Sequence, residues 1–356
     1  MTIMAEKYDF VIGVDTHARN HVLAVVACPT GNLVATKDFR NTTAGIASAI
    51  RWTNKITQST NILWAIEGCG SYGSTIAKTV MDTNTHVIEA PRYQTSGRGG
   101  NTGKTDQLDA LRIASAALAI TDQQRRLPRQ DTGIPAALQT LITAREMMTK
   151  DYTAHINALT ALLRSNDLNI DARRPLTRTQ ITTISTWRKQ PNSPVEIAIA
   201  RSEAVRLATR IITLISELKD NQLHIEILVQ QSPAATLTKN PGVGPVTAAV
   251  TLAAWSHHGR LRSEAAFASL AGVNPIPASS GNTTRHRLNR AGDRRINRAL
   301  HSAVISAMRC DQQTKAYVEK RTAEGKTTRE IRRCLKRYLA RKLYRQLNHA
   351  ATTTPA

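Results

Sequence analysis

The chain has 356 residues and a mass of 39.0 kDa, with 48 Lys and Arg against 26 Asp and Glu, a formal net charge of +22 and a pI near 10.5. That length suits two domains, or one large domain with an insertion, and 41% hydrophobic residues favour packed cores over disorder. Three classes drop out: no apolar run approaches the ~18–20 residues of a membrane span, residues 1–10 hold Glu6, Lys7 and Asp9 and no apolar signal core, and Cys28, Cys69, Cys310 and Cys334 make no Cys-x-x-Cys pair, which argues against a disulfide scaffold or zinc ribbon.

A reducing cytoplasm is therefore the expected compartment. A like charge this large repels itself and is usually retained because a polyanion neutralises it. Nucleic acid is the first candidate and an anionic membrane surface the second.

In chain order, the first 120 residues predict an α/β domain. Tyr8–Val14 is an apolar, β-branched run ending at Asp15, and His21–Ala27 is a second. The Pro29-Thr30-Gly31-Asn32 turn leads to a third strand at Leu33–Phe39. These three predict an antiparallel meander. A helix is expected over Thr43–Asn54, a strand over Asn61–Glu67, a helix over Ser71–Asp82 and a short strand over Thr85–Ala90. Pro91–Lys104 reads as a Gly/Arg-rich loop and Thr105–Ile120 as a helix. A three-strand meander followed by alternating helices and strands is an RNase H-like order.

Helical spacing resumes at Leu138, Leu141 and Ile142 and continues to Leu162 and Leu163. A polar break holding Arg173, Arg174, Pro175, Pro191 and Pro194 precedes a second run over Val195–Val229. Two long antiparallel helices are expected here, as a spacer or self-association arm. Residues 232–348 read as mostly helical, with a short tail after them. The expected domains are 1–125, 126–231 and 232–349, with 350–356 as tail.

Charge and acids are unevenly placed. Residues 256–345 carry 21 Lys and Arg and 6 Asp and Glu, a net of +15, so this stretch is the expected footprint on phosphates. Among the acids, Asp15 ends the first strand, Glu67 ends the fourth, and Asp106 and Asp109 lie three apart at the start of a helix. That spacing puts both carboxylates on one helix face. First and fourth strands are neighbours in an RNase H-like sheet, so the four can converge. Clustered carboxylates need cations, and hard oxygen ligands suit Mg²⁺. A metal pair can clamp both oxygens of a phosphoryl displacement.

Three further stretches carry candidate chemistry. Gly97 through Thr105 approximates a phosphate-binding loop, but the pattern needs Gly at 98, where Arg98 stands. Asn240-Pro241-Gly242-Val243-Gly244-Pro245 joins two apolar helical stretches as a helix-hairpin-helix-like element. Gly242 and Gly244 there suit either a grip on a phosphate backbone or an ordinary helix–helix turn. Further on, Ser279-Ser280-Gly281 precedes Arg285, Arg287, Arg290, Arg294, Arg295 and Arg298. From the residues alone this is first a plain polar turn, and second a hydroxyl nucleophile among phosphate-binding cations.

Taken together and in order, the four acids, Pro-Gly-Val-Gly-Pro at 241–245, Ala-Gly-Val-Asn-Pro at 271–275, Ser-Ser-Gly at 279–281 and Arg-Ala-Gly-Asp-Arg-Arg-Ile-Asn-Arg-Ala-Leu at 290–300 resemble the insertion-sequence family one-ten transposases, bacterial recombinases guided by a bridge RNA. The resemblance implies a RuvC-like DEDD domain whose acids map onto Asp15, Glu67, Asp106 and Asp109. It implies a C-terminal transposase domain whose nucleophilic serine maps onto Ser280, with Ser279 the adjacent alternative. The expected protein is then a Mg²⁺-dependent DNA recombinase that excises and inserts its own element. Its expected partners are DNA, a guide RNA and further copies of itself as dimer or tetramer. A RuvC-like junction nuclease using water, or a non-catalytic nucleic-acid-binding protein, are the rivals.

Overall fold

The computed structural model describes the chain except residues 1, 92–104, 130–131, 191–192, 279–285, 291 and 354–356. Its elements in order are α1 (Met4–Lys7), β1 (Phe10–Thr16), β2 (Asn20–Ala27), β3 (Leu33–Arg40), α2 (Thr43–Thr57), β4 (Ile62–Ile66), α3 (Ser74–Asp82), β5 (His86–Glu89) and α4 (Asp106–Leu118). Then come α5 (Gly133–Ser165), α6 (Arg178–Ser185), α7 (Val195–Gln230), a 3-10 turn (Pro233–Lys239), α8 (Pro245–Trp255) and α9 (Glu264–Leu270). The last elements are β6 (Pro275–Pro277), β7 (His286–Leu288), α10 (Arg294–Cys310), α11 (Gln312–Ala323) and α12 (Thr328–Thr353). No described helix is long and apolar enough to cross a membrane.

The chain forms two compact units, each drawn from separated segments. One holds residues 1–131, 255–292 and 340–356; the other holds 132–254 and 293–339. In the first, five strands make one mixed sheet in the order β3-β2-β1-β4-β5. The meander β1-β2-β3 is antiparallel, and β4 joins β1 in parallel with Val14 opposite Ile66. The central strands β1, β2 and β4 are nearly continuous apolar runs because both sheet faces are covered. Ile12, Val14, Leu23 and Trp64 pack with Ile46, Ala49, Ile76 and Val80 of α2 and α3. On the other face, Val11, Val26 and Leu63 pack with Ile113, Ala114 and Ala117 of α4.

One glycine sets how closely α4 approaches. A Cβ added at Gly13 in β1 would collide with the Ala110 carbonyl oxygen and lie 2.6 Å from the Ala114 amide nitrogen. The helix backbone therefore rests directly on the strand, with small Ala110 and Ala114 completing the fit.

Residues 255–292 and the last turns of α12 are tied together within this unit. Glu264 accepts hydrogen bonds from Arg341 Nε at 2.6 Å and Arg345 Nη1 at 3.0 Å. Tyr344 donates to the Leu261 carbonyl, and Trp255 Nε1 to Asn348 Oδ1. Arg262 Nη1 donates to the Gln123 carbonyl at 2.9 Å, which links this segment to the first 131 residues.

In the second unit α5 and α7 run antiparallel. Leu159 and Leu163 meet Ala200, Ala204 and Ala208 near one end. At the other, buried Asn221 donates to the Leu141 carbonyl and accepts from Arg145. Gly242 packs the glycine hairpin onto α10, since a Cβ there would meet the Ala303 carbonyl and lie 2.9 Å from the Ala307 amide nitrogen.

The structure departs from the expected elements in several places, among them the short helix α1, which was not expected. Strand β1 starts at Phe10 and runs one residue past Asp15, to Thr16. The polar break contains α6, started by a capping box in which Thr177 and Gln180 satisfy each other's backbone amides. The mostly helical C-terminal region includes the two-stranded ribbon β6-β7, with Ile276 opposite Arg287.

Candidate active site

Parallel pairing of β1 and β4 brings their carboxyl ends to one edge of the sheet. Asp15 stands there on β1, 6% exposed. Glu67 follows the last residue of β4, anchored by its amide to the Val14 carbonyl at 3.0 Å, and Thr16 Oγ1 donates to the Glu67 carbonyl at 3.0 Å. Above this edge sits the first turn of α4. Thr105 caps it by accepting from the Leu108 amide. Asp106 and Asp109 occupy that turn, where acids also complement the helix dipole. Asp109 is largely buried at its side chain and is held by Arg112 one turn on, at 2.8 Å.

Three segments far apart in sequence thus bring these acids to the same end of the sheet, with Glu67 coupled to Asp15 and Asp109, and Asp15 and Asp106 joined through His17. The electrostatics record the crowding. The Glu67 carboxyl is pushed above its ordinary range, first by partial desolvation and then by the Asp15 carboxylate, with Asp109 adding in the same direction. Like charges this close favour a proton or a cation between them.

A fifth residue enters that the sequence reading overlooked. His17 places Nε2 3.1 Å from Asp15 Oδ2 and 3.6 Å from Asp106 Oδ2. One ligand atom from each of Asp15, His17 and Asp106 lies within 4.8 Å of the others. The signal was present in Asp15-Thr16-His17: residues two apart on an extended strand share a face. Two carboxylate oxygens and an imidazole nitrogen, beside two further carboxylates, fit a divalent cation.

Of the basic residues, Arg285 lies outside the described residues, as do Ser279, Ser280 and Gly281 and the Gly97–Lys104 stretch. Arg287 and Arg290 are exposed in the first unit. Arg294, Arg295 and Arg298 begin α10 in the second. There Glu146 of α5 takes both Arg295 Nε and Arg298 Nη2 at 2.8 Å. Gly242 is spent on helix packing, whereas a Cβ at Gly244 would meet nothing within 4 Å.

Comparison with known proteins bears on this arrangement. Residues 12–166, which contain all four acids, match the DEDD transposase model of IS110. Residues 234–319 match the model described as Transposase IS116/IS110/IS902 family. The chain is similar to the uncharacterized 42 kDa protein of insertion element IS900 from Mycobacterium paratuberculosis, 24% identical over 97% of this chain and 98% of the relative. It is similar to the uncharacterized 44.8 kDa protein of insertion element IS116 from Streptomyces clavuligerus, 24% identical over 99% and 98%. It is also similar to the uncharacterized 43.6 kDa protein of insertion element IS110 from Streptomyces coelicolor, 26% identical over 63% and 65%.

Proposed function

We propose, from the match of residues 12–166 and 234–319 to transposase family models, that this chain is a transposase of the IS116/IS110/IS902 family, that Asp15, Glu67, Asp106 and Asp109 form its RuvC-like catalytic centre and that Ser280 is the nucleophile that joins protein to DNA. The observation that carries this reading is the convergence of four carboxylates from β1, β4 and α4 at one sheet edge. The strand order β3-β2-β1-β4-β5, with β1 and β4 parallel, supports an RNase H-like assignment of that domain.

These acids would hold Mg²⁺, which when bound supplies Lewis acidity at a phosphate oxygen. Asp15 is fixed by its strand and Asp109 by Arg112, so the donor set is oriented before any ligand arrives. His17, between Asp15 and Asp106, either joins the donor set or hands the two carboxylates over to it. The Ser280 hydroxyl would attack a DNA phosphorus, form a serine–phosphate ester and release a deoxyribose hydroxyl, which takes up a proton. The bond energy stays in the ester, so rejoining needs no ATP. The segment that flanks Ser280 belongs to the same compact unit as the four acids, which supports their acting at one phosphate. Functionally, 1–125, 126–231 and 232–349 would be the metal-binding, spacer and serine-bearing domains. The partners would be the element ends and target DNA, a guide RNA and further copies of this chain, associating through the long helices.

The test is strand cleavage of element-end DNA by the full chain. Activity should need a divalent cation and vanish with a chelator. Chelator-resistant cleavage would remove the metal from the reading.

Binding is expected to be steeply salt-dependent, with a log–log slope of roughly −0.9 for each duplex phosphate neutralised. Arg287→Ala and Arg290→Ala should each reduce that slope by about one. Arg298→Ala should reduce it less, because Glu146 already meets that charge. Slopes unchanged by Arg287→Ala and Arg290→Ala together would move the footprint elsewhere.

A further inference from the structure

The helix pair α5–α7 is closed at one end by residues 166–194, and this connection is built as a cap. Ala172, Ile181 and Ile184 are buried in one cluster with Leu163 of α5 and Ala200 of α7. Two arginines pin its backbone from the long helices. Arg164 Nε donates to the Ala172 carbonyl at 2.9 Å. Arg201 stacks its guanidinium over Trp187, 4.4 Å from the ring centre, and donates to the Arg188 carbonyl at 3.5 Å. Together with the Thr177/Gln180 capping box, these contacts hold α6 in one orientation on the helix pair.

The outward surface of the cap differs from an ordinary solvated helix, which mixes acids and bases in i,i+4 pairs. Residues 172–190 hold Arg173, Arg174, Arg178, Arg188 and Lys189, all exposed, and no Asp or Glu. Asp171 takes up Arg173 through two bonds, at 2.9 and 3.0 Å. Among the described residues no ion pair reaches the other four. Arg178 begins α6, where the helix dipole disfavours a cation. In the same unit Arg295 and Arg298 are already met by Glu146, so the cap presents charge that the start of α10 does not.

Between these cations the exposed side of α6 is threonine. Thr179, Thr182 and Thr183 share one helix face, with Thr186 at the C-cap. Threonine is a weak helix former. In α5 and α7, Thr149, Thr153, Thr209 and Thr213 turn their hydroxyls back to the carbonyl four residues earlier. The hydroxyls of Thr179, Thr182 and Thr183 make no such bond. Helix stability therefore explains neither the threonines nor the cations around them. A face of hydroxyl and cationic donors with no carboxylate competing for them matches phosphate oxygens, which take their contacts from Arg, Lys, Ser and Thr. Trp187 is the one aromatic residue of 166–194. It is half-buried under Arg201, so the cap offers no free ring for an unpaired base to stack on. The match is to the backbone of a duplex.

We propose that α6 with Arg174, Arg178, Arg188 and Lys189 forms a DNA contact that grips the phosphates of a duplex without reading its sequence. The inference rests on the transposase reading above, which supplies DNA, and adds a surface that neither the four carboxylates nor Ser280 uses.

The full chain, freed of nucleic acid by nuclease and high salt, would be titrated with duplex DNA over a range of salt. The comparison is with an Arg178→Gln/Arg188→Gln/Lys189→Gln variant. Loss of three phosphate-contacting cations should lower the log–log salt slope by about two to three, and weaken binding at least about tenfold at low salt, on unrelated sequences alike. Melting temperature should hold, since all three side chains are exposed. Thr183→Cys labelled with a benzophenone maleimide should cross-link duplex DNA on irradiation, above the background that Cys28, Cys69, Cys310 and Cys334 give in the unsubstituted chain. Should the triple variant melt early, this cross-link decides, and its absence would overturn the surface. An unsubstituted chain that binds duplex DNA, beside a triple variant of equal slope and affinity, would overturn the surface and leave the transposase reading standing. A loss confined to duplex RNA would overturn the assignment to DNA. An unsubstituted chain that binds no duplex DNA at low salt would overturn both readings.

Discussion

Asp15→Asn is expected to cut DNA strand cleavage at least about a hundredfold while DNA affinity stays within about twofold. The substitution keeps the size and the strand position of the side chain and removes one negative charge. Asp15 is buried at the edge where Glu67, His17 and the first turn of α4 meet, so no other group can move into its place. Loss of its carboxylate also relieves one cause of the raised Glu67 carboxyl, and Glu67 should then ionise at lower pH. DNA affinity is carried by arginines and lysines elsewhere. Single-turnover cleavage and a binding isotherm on the same DNA separate the two effects. Glu67→Gln, Asp106→Asn and Asp109→Asn should behave alike. Four variants cleaving at the unsubstituted rate would dissolve the proposed centre.

Gly13→Val should lower stability by about 3 kcal/mol or more and take cleavage with it. The added Cβ would meet backbone, the Ala110 carbonyl and the Ala114 amide, and backbone cannot rotate aside as a side chain can. Relief requires α4 to lift off β1, which carries Asp106 and Asp109 away from Asp15 and Glu67. A control lies nearby: a Cβ at Gly70 would meet nothing within 4 Å, so Gly70→Ala should leave the melting temperature almost unchanged. Thermal unfolding of both variants checks this, and a Gly13→Val chain melting with the unsubstituted protein would mean that α4 does not rest on that strand.

The sheet was legible in the sequence because local signals and pairing rules agreed. The Pro29-Thr30-Gly31-Asn32 turn marked the β2–β3 hairpin, and the three-residue spacing of Asp106 and Asp109 marked a helix face. His17 was passed over because a single histidine near a strand end looks like any surface residue until its partner from α4 arrives. Helix α6 was hidden in a proline-flanked polar stretch, where only the Thr177/Gln180 capping box marked it. The pairing of Glu146 with Arg295 and Arg298 joins residues more than 140 apart, and no local pattern announces that. The same holds for Gly242, whose neighbour is the backbone of α10.

The proposed reaction is tested most directly by trapping it. A suicide substrate carrying an element end, nicked so that the released strand diffuses away, would be incubated with the full chain and a divalent cation, then denatured and digested. A DNA-shifted protein band whose modified peptide carries the nucleotide on Ser280, lost in Ser280→Ala and in Asp15→Asn and retained in Ser279→Ala, is the expected result. Efficient cleavage by the Ser279→Ala/Ser280→Ala double variant with no adduct would contradict it and make water the attacking group, as in a junction nuclease.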